Sequence, residues 1–74
     1  MTAKAPPRQG DQVPGHVVVL IGVEADGTEV PFQAQDLDRP FLGFFYPQNL
    51  HPAWRWDMLP AAEFRQKYPT VVAR

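Results

Sequence analysis

Hydrophobic and polar positions are most clearly patterned between residues 16 and 35. His16-Val-Val-Val-Leu-Ile-Gly-Val-Glu24 is a run of largely β-branched apolar residues. Ala25-Asp26-Gly27 has turn chemistry, and Thr28-Glu-Val-Pro-Phe-Gln-Ala34 alternates polar with apolar. The pattern predicts a β-hairpin turning at Asp26-Gly27. In that register Val23 faces Val30, Ile21 faces Phe32 and Val19 faces Ala34, all on one side. A slip of one residue would instead set Val23 against Glu29 and Ile21 against Pro31. Val18 and Leu20 make the first strand apolar on both faces, as a central strand should be, whereas Glu29, Gln33 and Gln35 wet the outer face of the second. Pro31 has no N–H to donate, so its side of the second strand must be an edge or a bulge. The same register sets Glu24 against Glu29, an unfavourable like-charge pair.

Beyond the hairpin, Gln35–Pro40 reads as a loop. Phe41-Leu-Gly-Phe-Phe-Tyr46 reads as a third strand, apolar on both faces and halted by Pro47. Residues 47–52 are turn chemistry, and Ala53-Trp-Arg-Trp56 suits a short fourth strand with both indoles on one side. Asp57 fits an N-cap, with Pro60 in the first turn of a helix that runs to about Tyr68 and stops at Pro69. Ala61, Phe64 and Tyr68 form its apolar stripe, Glu63, Arg65 and Lys67 its wet side, and Thr70–Ala73 suits a last strand. The expected fold is α+β and β-rich: a small twisted antiparallel sheet or partly open barrel of about three to five strands, with one short C-terminal helix. Residues 1–14 hold Pro6, Pro7, Pro14 and Gly10, with Val13 as the one strongly apolar side chain besides Met1, so they read as a flexible Pro-rich N-terminal arm. Residues 15–74 form a single small β-rich domain.

Length sharpens this picture. At 74 residues folding buries only about 60–65% of the surface that the unfolded chain exposes, so the stability margin is thin. There is no cysteine, which excludes disulfides, a thiolate nucleophile and sulfur-ligated zinc. Self-association or a partner therefore moves up the list of reinforcements. The N-terminal residues lack the apolar core of a secretory signal, and the longest apolar run, Val17–Val23, is far short of the roughly 20 residues that cross a bilayer. The expectation is a soluble, cytoplasmic protein with no membrane partner. Net charge is −1 but unevenly spread: residues 24–40 carry five acids against Arg39, net −4, and residues 51–74 carry four bases against Asp57 and Glu63, net +2.

The candidate chemistries are sparse. Gly15-His16 opening a Val-rich strand resembles the histidine strand of papain-like and bacteriocin-processing cysteine peptidases, which would imply a general base at His16. The chain has no cysteine for it to activate. Tyr46-Pro47-Gln48-Asn49-Leu50 is similar to the closing stretch of Src-homology-3 domains, which would imply a groove for proline-rich ligands. Here Leu50 replaces the usual tyrosine, and Trp54 and Trp56 follow the stretch rather than precede it. His16, His51, Asp36 and Asp38 are potential metal ligands without the spacing that specifies a site, so neither metal nor cofactor is assigned. Asp36 and Asp38 read as solvated turn residues rather than an acid/base couple, and no phosphate-binding glycine loop is present.

Residues 41–56 hold six of the nine aromatic side chains. That is more than one face of so small a sheet can cover. Tyr, Trp and Arg are the residues enriched at interface hot spots, so Tyr46, Trp54, Arg55 and Trp56 are the candidate partner-binding residues. The expectation is a non-enzymatic protein–protein interaction module, a small accessory, regulatory or inhibitor-like protein docking on a larger protein or on itself through an aromatic rim. Two alternatives are a single-stranded nucleic-acid-binding barrel that stacks bases on these rings and a hydrolase-like or metal-binding protein using His16. Net charge −1 argues against nucleic acid, where a basic stripe is the usual footprint.

Overall fold

The structure is a computed structural model and describes residues 7–44 and 53–74. Three antiparallel strands, β1 (His16–Val23), β2 (Glu29–Asp36) and β3 (Ala53–Pro60), form one open sheet in the order β2-β1-β3, followed by helix α1 (Ala61–Lys67). This is a small α+β, β-rich fold with one short C-terminal helix, as the patterning predicts. β1 is central, and Val17 through Ile21 are at most 3% exposed, so its two-sided apolar run is explained by a layer on each face.

One layer holds Val17, Val19 and Ile21 with Ala34 and Phe64, flanked by Leu59, Ala61, Tyr68, Val71 and Ala73. The other holds Val18, Leu37 and Phe41, flanked by Val13, Phe44, Trp56 and Met58. We call these the helix face and the aromatic face. A seven-residue helix is far below the roughly 12–15 residues at which an isolated helix becomes marginal in water. Packing of Phe64 into the helix face is what holds it there. The stripe Ala61, Phe64, Tyr68 lies inward, and Glu63, Arg65 and Lys67 are exposed.

The hairpin register differs from the expected one near the turn. The Gly27 N–H donates to the Glu24 carbonyl at 2.9 Å and the Glu24 N–H donates to the Thr28 carbonyl at 2.8 Å. Gly27 has φ +90°. The loop is therefore Ala25-Asp26-Gly27, a three-residue connection ending in a left-handed glycine, rather than a two-residue one. Val23 consequently faces Glu29, and Ile21 faces Pro31. A bulge between Leu20 and Ile21 then absorbs Phe32, after which Leu20 faces Gln33 and Val19 faces Ala34 as expected. Pro31 sits on an edge strand beside that bulge, so its missing N–H is accommodated in both of the ways proline allows. Glu24 and Glu29 no longer oppose each other.

Four further expectations change. The third strand expected over 41–46 is not formed at 41–44. Gly43 has φ +109°, outside any strand conformation. Phe41 instead exchanges backbone hydrogen bonds with residues 10 and 11, Gly10 N–H to Phe41 O and Phe41 N–H to Asp11 O, each 2.8 Å. Residues 45 and 46 lie outside the described residues. Asp57 is not an N-cap: β3 continues through it to Pro60, pairing with the full length of β1. A ladder of that length outweighs a cap worth about 1 kcal/mol. Pro60 occupies the N-cap position with no side-chain hydrogen bond. Gln35 does not wet the surface. It is 6% exposed, and its amide donates to the Pro40 carbonyl and accepts from the Leu42 N–H, both at 3.0 Å.

The C-terminal residues add one isolated parallel bridge, Ala34 to Ala73, rather than a strand. Of the N-terminal stretch, residues 1–6 lie outside the described residues. Val13 donates its N–H to Leu37 O at 2.9 Å and packs on the aromatic face, and the Gln12 amide donates to Asp38 O at 2.8 Å. Among the described residues no helix is long and apolar enough to cross a membrane.

Candidate functional site

β3 places its side chains by alternation. Trp54, Trp56 and Met58 lie opposite Gly22, Leu20 and Val18 and share the aromatic face. Arg55 and Asp57 lie opposite Ile21 and Val19 and share the helix face. Both indoles are on one side, as the sequence suggests, and both are half-buried. The bulge adds a ring that the simple alternation assigns elsewhere. Phe32 meets Trp54 edge-to-face at a centroid separation of 5.5 Å, near Gly22, which carries no side chain to fill the space between β2 and β3. Phe41 and Phe44 stack edge-to-face at 5.1 Å, and Trp56 packs against the same Val18–Leu37–Phe41 cluster. The result is a band of rings across the sheet: buried at Phe41, 5% exposed, and half-open at Phe32, Phe44, Trp54 and Trp56.

Arg55 does not join the indoles. Its guanidinium forks onto Glu29, Nε to Oε2 at 2.8 Å and Nη2 to Oε1 at 2.7 Å, crossing above the central strand. Two-pronged geometry of this kind is the strongest form of the pair. It holds the Glu29 carboxyl below its ordinary value of 4.5. Asp57 receives Lys67 from α1 at 3.4 Å, which ties the helix to β3. The Lys67 ammonium also lies 5.5 Å from the Tyr68 ring centroid, and its pKa is raised by Tyr68 and by Asp57. Tyr46 and His51 lie outside the described residues.

The depressed Glu29 value makes a prediction. A carboxyl whose folded pKa is below its unfolded one contributes stability above the unfolded value and loses it as pH falls through the folded one. Glu29→Gln should therefore lower the urea midpoint at pH 7, and the deficit should close progressively as pH falls below 4.5. A deficit independent of pH would show that the carboxylate charge is not what Arg55 holds. Asp26, lowered by the Thr28 backbone N–H, titrates in both proteins and cancels from the comparison.

The other polar candidates are occupied in turns. His16 Nδ1 donates to the Pro14 carbonyl at 3.0 Å. Asp36 Oδ1 accepts the Asp38 N–H at 2.9 Å, and Asp38 Oδ1 accepts the Gly15 N–H at 2.7 Å. These carboxylates shape the loop after β2 and fasten it to the start of β1. Among the described residues no three His, Cys, Asp or Glu side chains are grouped to hold a metal ion. A surface groove of about 520 Å³ runs between β2 and residues 70–74 and is lined by Val30, Phe32, Val71 and Arg74, among others, with no histidine or carboxylate side chain.

No family model, curated protein or solved structure matches this chain. The site therefore rests on the chain's own geometry.

Proposed function

We propose that the protein is a non-enzymatic protein–protein interaction module that docks on a larger protein through the aromatic face of β3, with Trp54 and Trp56 as anchors. The observation that carries this reading is the pair of half-buried indoles on one face of an edge strand, extended by Phe32 and Phe44. Tryptophan in a partly desolvated setting combines large apolar area with an N–H that seeks an acceptor, which is why it dominates interface hot spots. The rings are also pre-positioned. Trp56 packs against the Val18–Leu37–Phe41 cluster and Trp54 against Phe32, so docking demands little additional side-chain ordering. Arg55 contributes by holding β2 and β3 together across β1 rather than by meeting the partner alongside the indoles. Tyr46 remains a candidate contact on the strength of its sequence position.

The test has two parts. Acrylamide should quench the tryptophan emission of the isolated monomer efficiently. Affinity capture should then recover a partner with the wild-type chain and lose it with Trp54→Ala/Trp56→Ala, a loss of at least tenfold for two anchors at about 2 kcal/mol each. Emission that is blue and unquenchable in the monomer, or capture unaffected by the double substitution, would remove the reading. A salt-sensitive mobility shift with single-stranded oligonucleotides would replace it with base stacking.

A further inference from the structure

The two edges of the sheet are not equivalent. β2 is blunted by Pro31 and the bulge, and at Ala34–Asp36 it is covered by Arg74, whose N–H donates to Ala34 O at 3.0 Å and whose carbonyl accepts the Asp36 N–H at 2.7 Å. Proline, bulges and covering segments are the usual devices that stop an edge from pairing with another chain. β3 is as long as β2, and between Trp54 and Leu59 it carries neither proline nor bulge. Among the described residues no strand lies on its outer side.

The hydrogen-bond parity of β1 shows which β3 groups face outward. Even-numbered residues of β1 turn toward β2: the His16 carbonyl accepts from Leu37 N–H, and Glu24 N–H donates to Thr28 O. Odd-numbered ones turn toward β3, as when Gly15 O accepts the Ala61 N–H. By alternation Arg55 and Asp57 bond to β1, while Trp56 and Met58 direct their backbone N–H and C=O away from the sheet.

We infer that β3 is a self-pairing edge and that a second copy of this chain adds to it antiparallel, about a two-fold axis through Trp56, making a continuous six-stranded sheet. The register follows from charge. Centred on Trp56, the two Trp56 residues exchange a reciprocal pair of backbone hydrogen bonds. Arg55 of each copy then stands opposite Asp57 of the other. Those positions are the non-hydrogen-bonded ones, where facing side chains come closest. Centred one residue later, Asp57 would face Asp57. Both charged side chains keep capacity for this: Glu29 engages Nε and Nη2 of Arg55 but not Nη1, and Lys67 engages one oxygen of Asp57. On the opposite side Trp54 stands across from Met58 of the second copy, so the ring bands of the two copies join. The inference concerns the backbone edge of the strand whose indole face carries the proposed function, and the two can fail separately.

Sedimentation equilibrium should give a mass twice 8.4 kDa, and exchange protection of the Trp56 amide should rise with protein concentration. R55D and D57R each place like charges at both facing positions, so each alone should weaken dimerisation by about tenfold or more. Mixed one to one, they restore both opposite-charge pairs, and a heterodimer near wild-type affinity is expected. Circular dichroism checks that each variant folds, and the wild-type mass and exchange data stand without them. A wild-type monomer at about millimolar concentration, well above the micromolar range of ordinary specific association, or Trp56 protection that ignores concentration, would overturn the dimer. So would a mixture of the two variants no tighter than either alone. A monomer that still captures a partner through the indoles would sink this inference and leave the docking function standing.

Discussion

Phe64→Ala is expected to destabilise the fold by about 3–5 kcal/mol, the usual range for deleting a buried phenylalanine. A 74-residue chain has a total stability on the order of 4–11 kcal/mol, so the loss approaches half or more of the whole. Phe64 is the single α1 residue that is fully buried, at 5% exposure, and it meets Val17, Val19 and Ile21. Without it the helix keeps Ala61, the half-buried Tyr68 at its C-cap and the Lys67–Asp57 contact as ties to the sheet, and a seven-residue helix does not persist on its own propensity. Thermal unfolding followed at 222 nm should show a fall of roughly 12 °C or more, at about 4 °C or more per kcal/mol for a domain of this size. Val72→Ala, at a side chain 85% exposed, is the matched control and should move stability by no more than about 0.5 kcal/mol. Equal effects from the two substitutions would mean that α1 is not what closes the helix face.

What was legible in the sequence was whatever period and branching determine. The run of Val17 to Ile21 reads as a central strand because only a strand buried on both faces tolerates apolar residues at every position, and it is one. The stripe Ala61, Phe64, Tyr68 and the shared face of the two indoles follow from the same rule. Register was legible only in part, because Asp-Gly fits two loop lengths. The choice between them rests on Gly27 serving as the third loop residue in the left-handed region, and apolar pairing alone favours the other. Pro31 was the clue to the bulge, but not to which residue it would absorb. Phe32 therefore reached the aromatic band unannounced. β3 was underestimated because Asp57 and Pro60 are good helix-start residues locally, and a local signal cannot weigh a ladder formed with a strand some forty residues away. Gln35 gave no signal in the sequence: its burial depends on a loop returning over it. Of the candidate partner-binding residues, alternation alone separates Arg55 from Trp54 and Trp56, and the ion pair with Glu29 supplies the reason for its placement.

Leu37→Ala tests the opposite layer, with an expected loss of about 2–5 kcal/mol. Leu37 is 0% exposed, and its position is fixed from three sides. Its N–H donates to His16 O at 2.9 Å, its carbonyl accepts the Val13 N–H at 2.9 Å, and its side chain fills the cluster with Val18 and Phe41 on which Trp56 rests. Truncation therefore removes the support beneath an indole as well as core volume. Tryptophan emission in the still-folded fraction should shift to the red, a change that Leu42→Ala, at a side chain 77% exposed, should not produce. Unfolding should also stay a single transition in which tryptophan fluorescence and helical ellipticity move together. Val17, Val19 and Ile21 face the helix while Val18 and Leu20, on the same strand, face the rings, so neither layer can open without releasing β1 from the other. A variant that lost its indole packing at low urea while α1 melted at the wild-type midpoint would show that the two faces are independent. The indoles would then sit on a labile flap rather than on the rigid platform that docking requires.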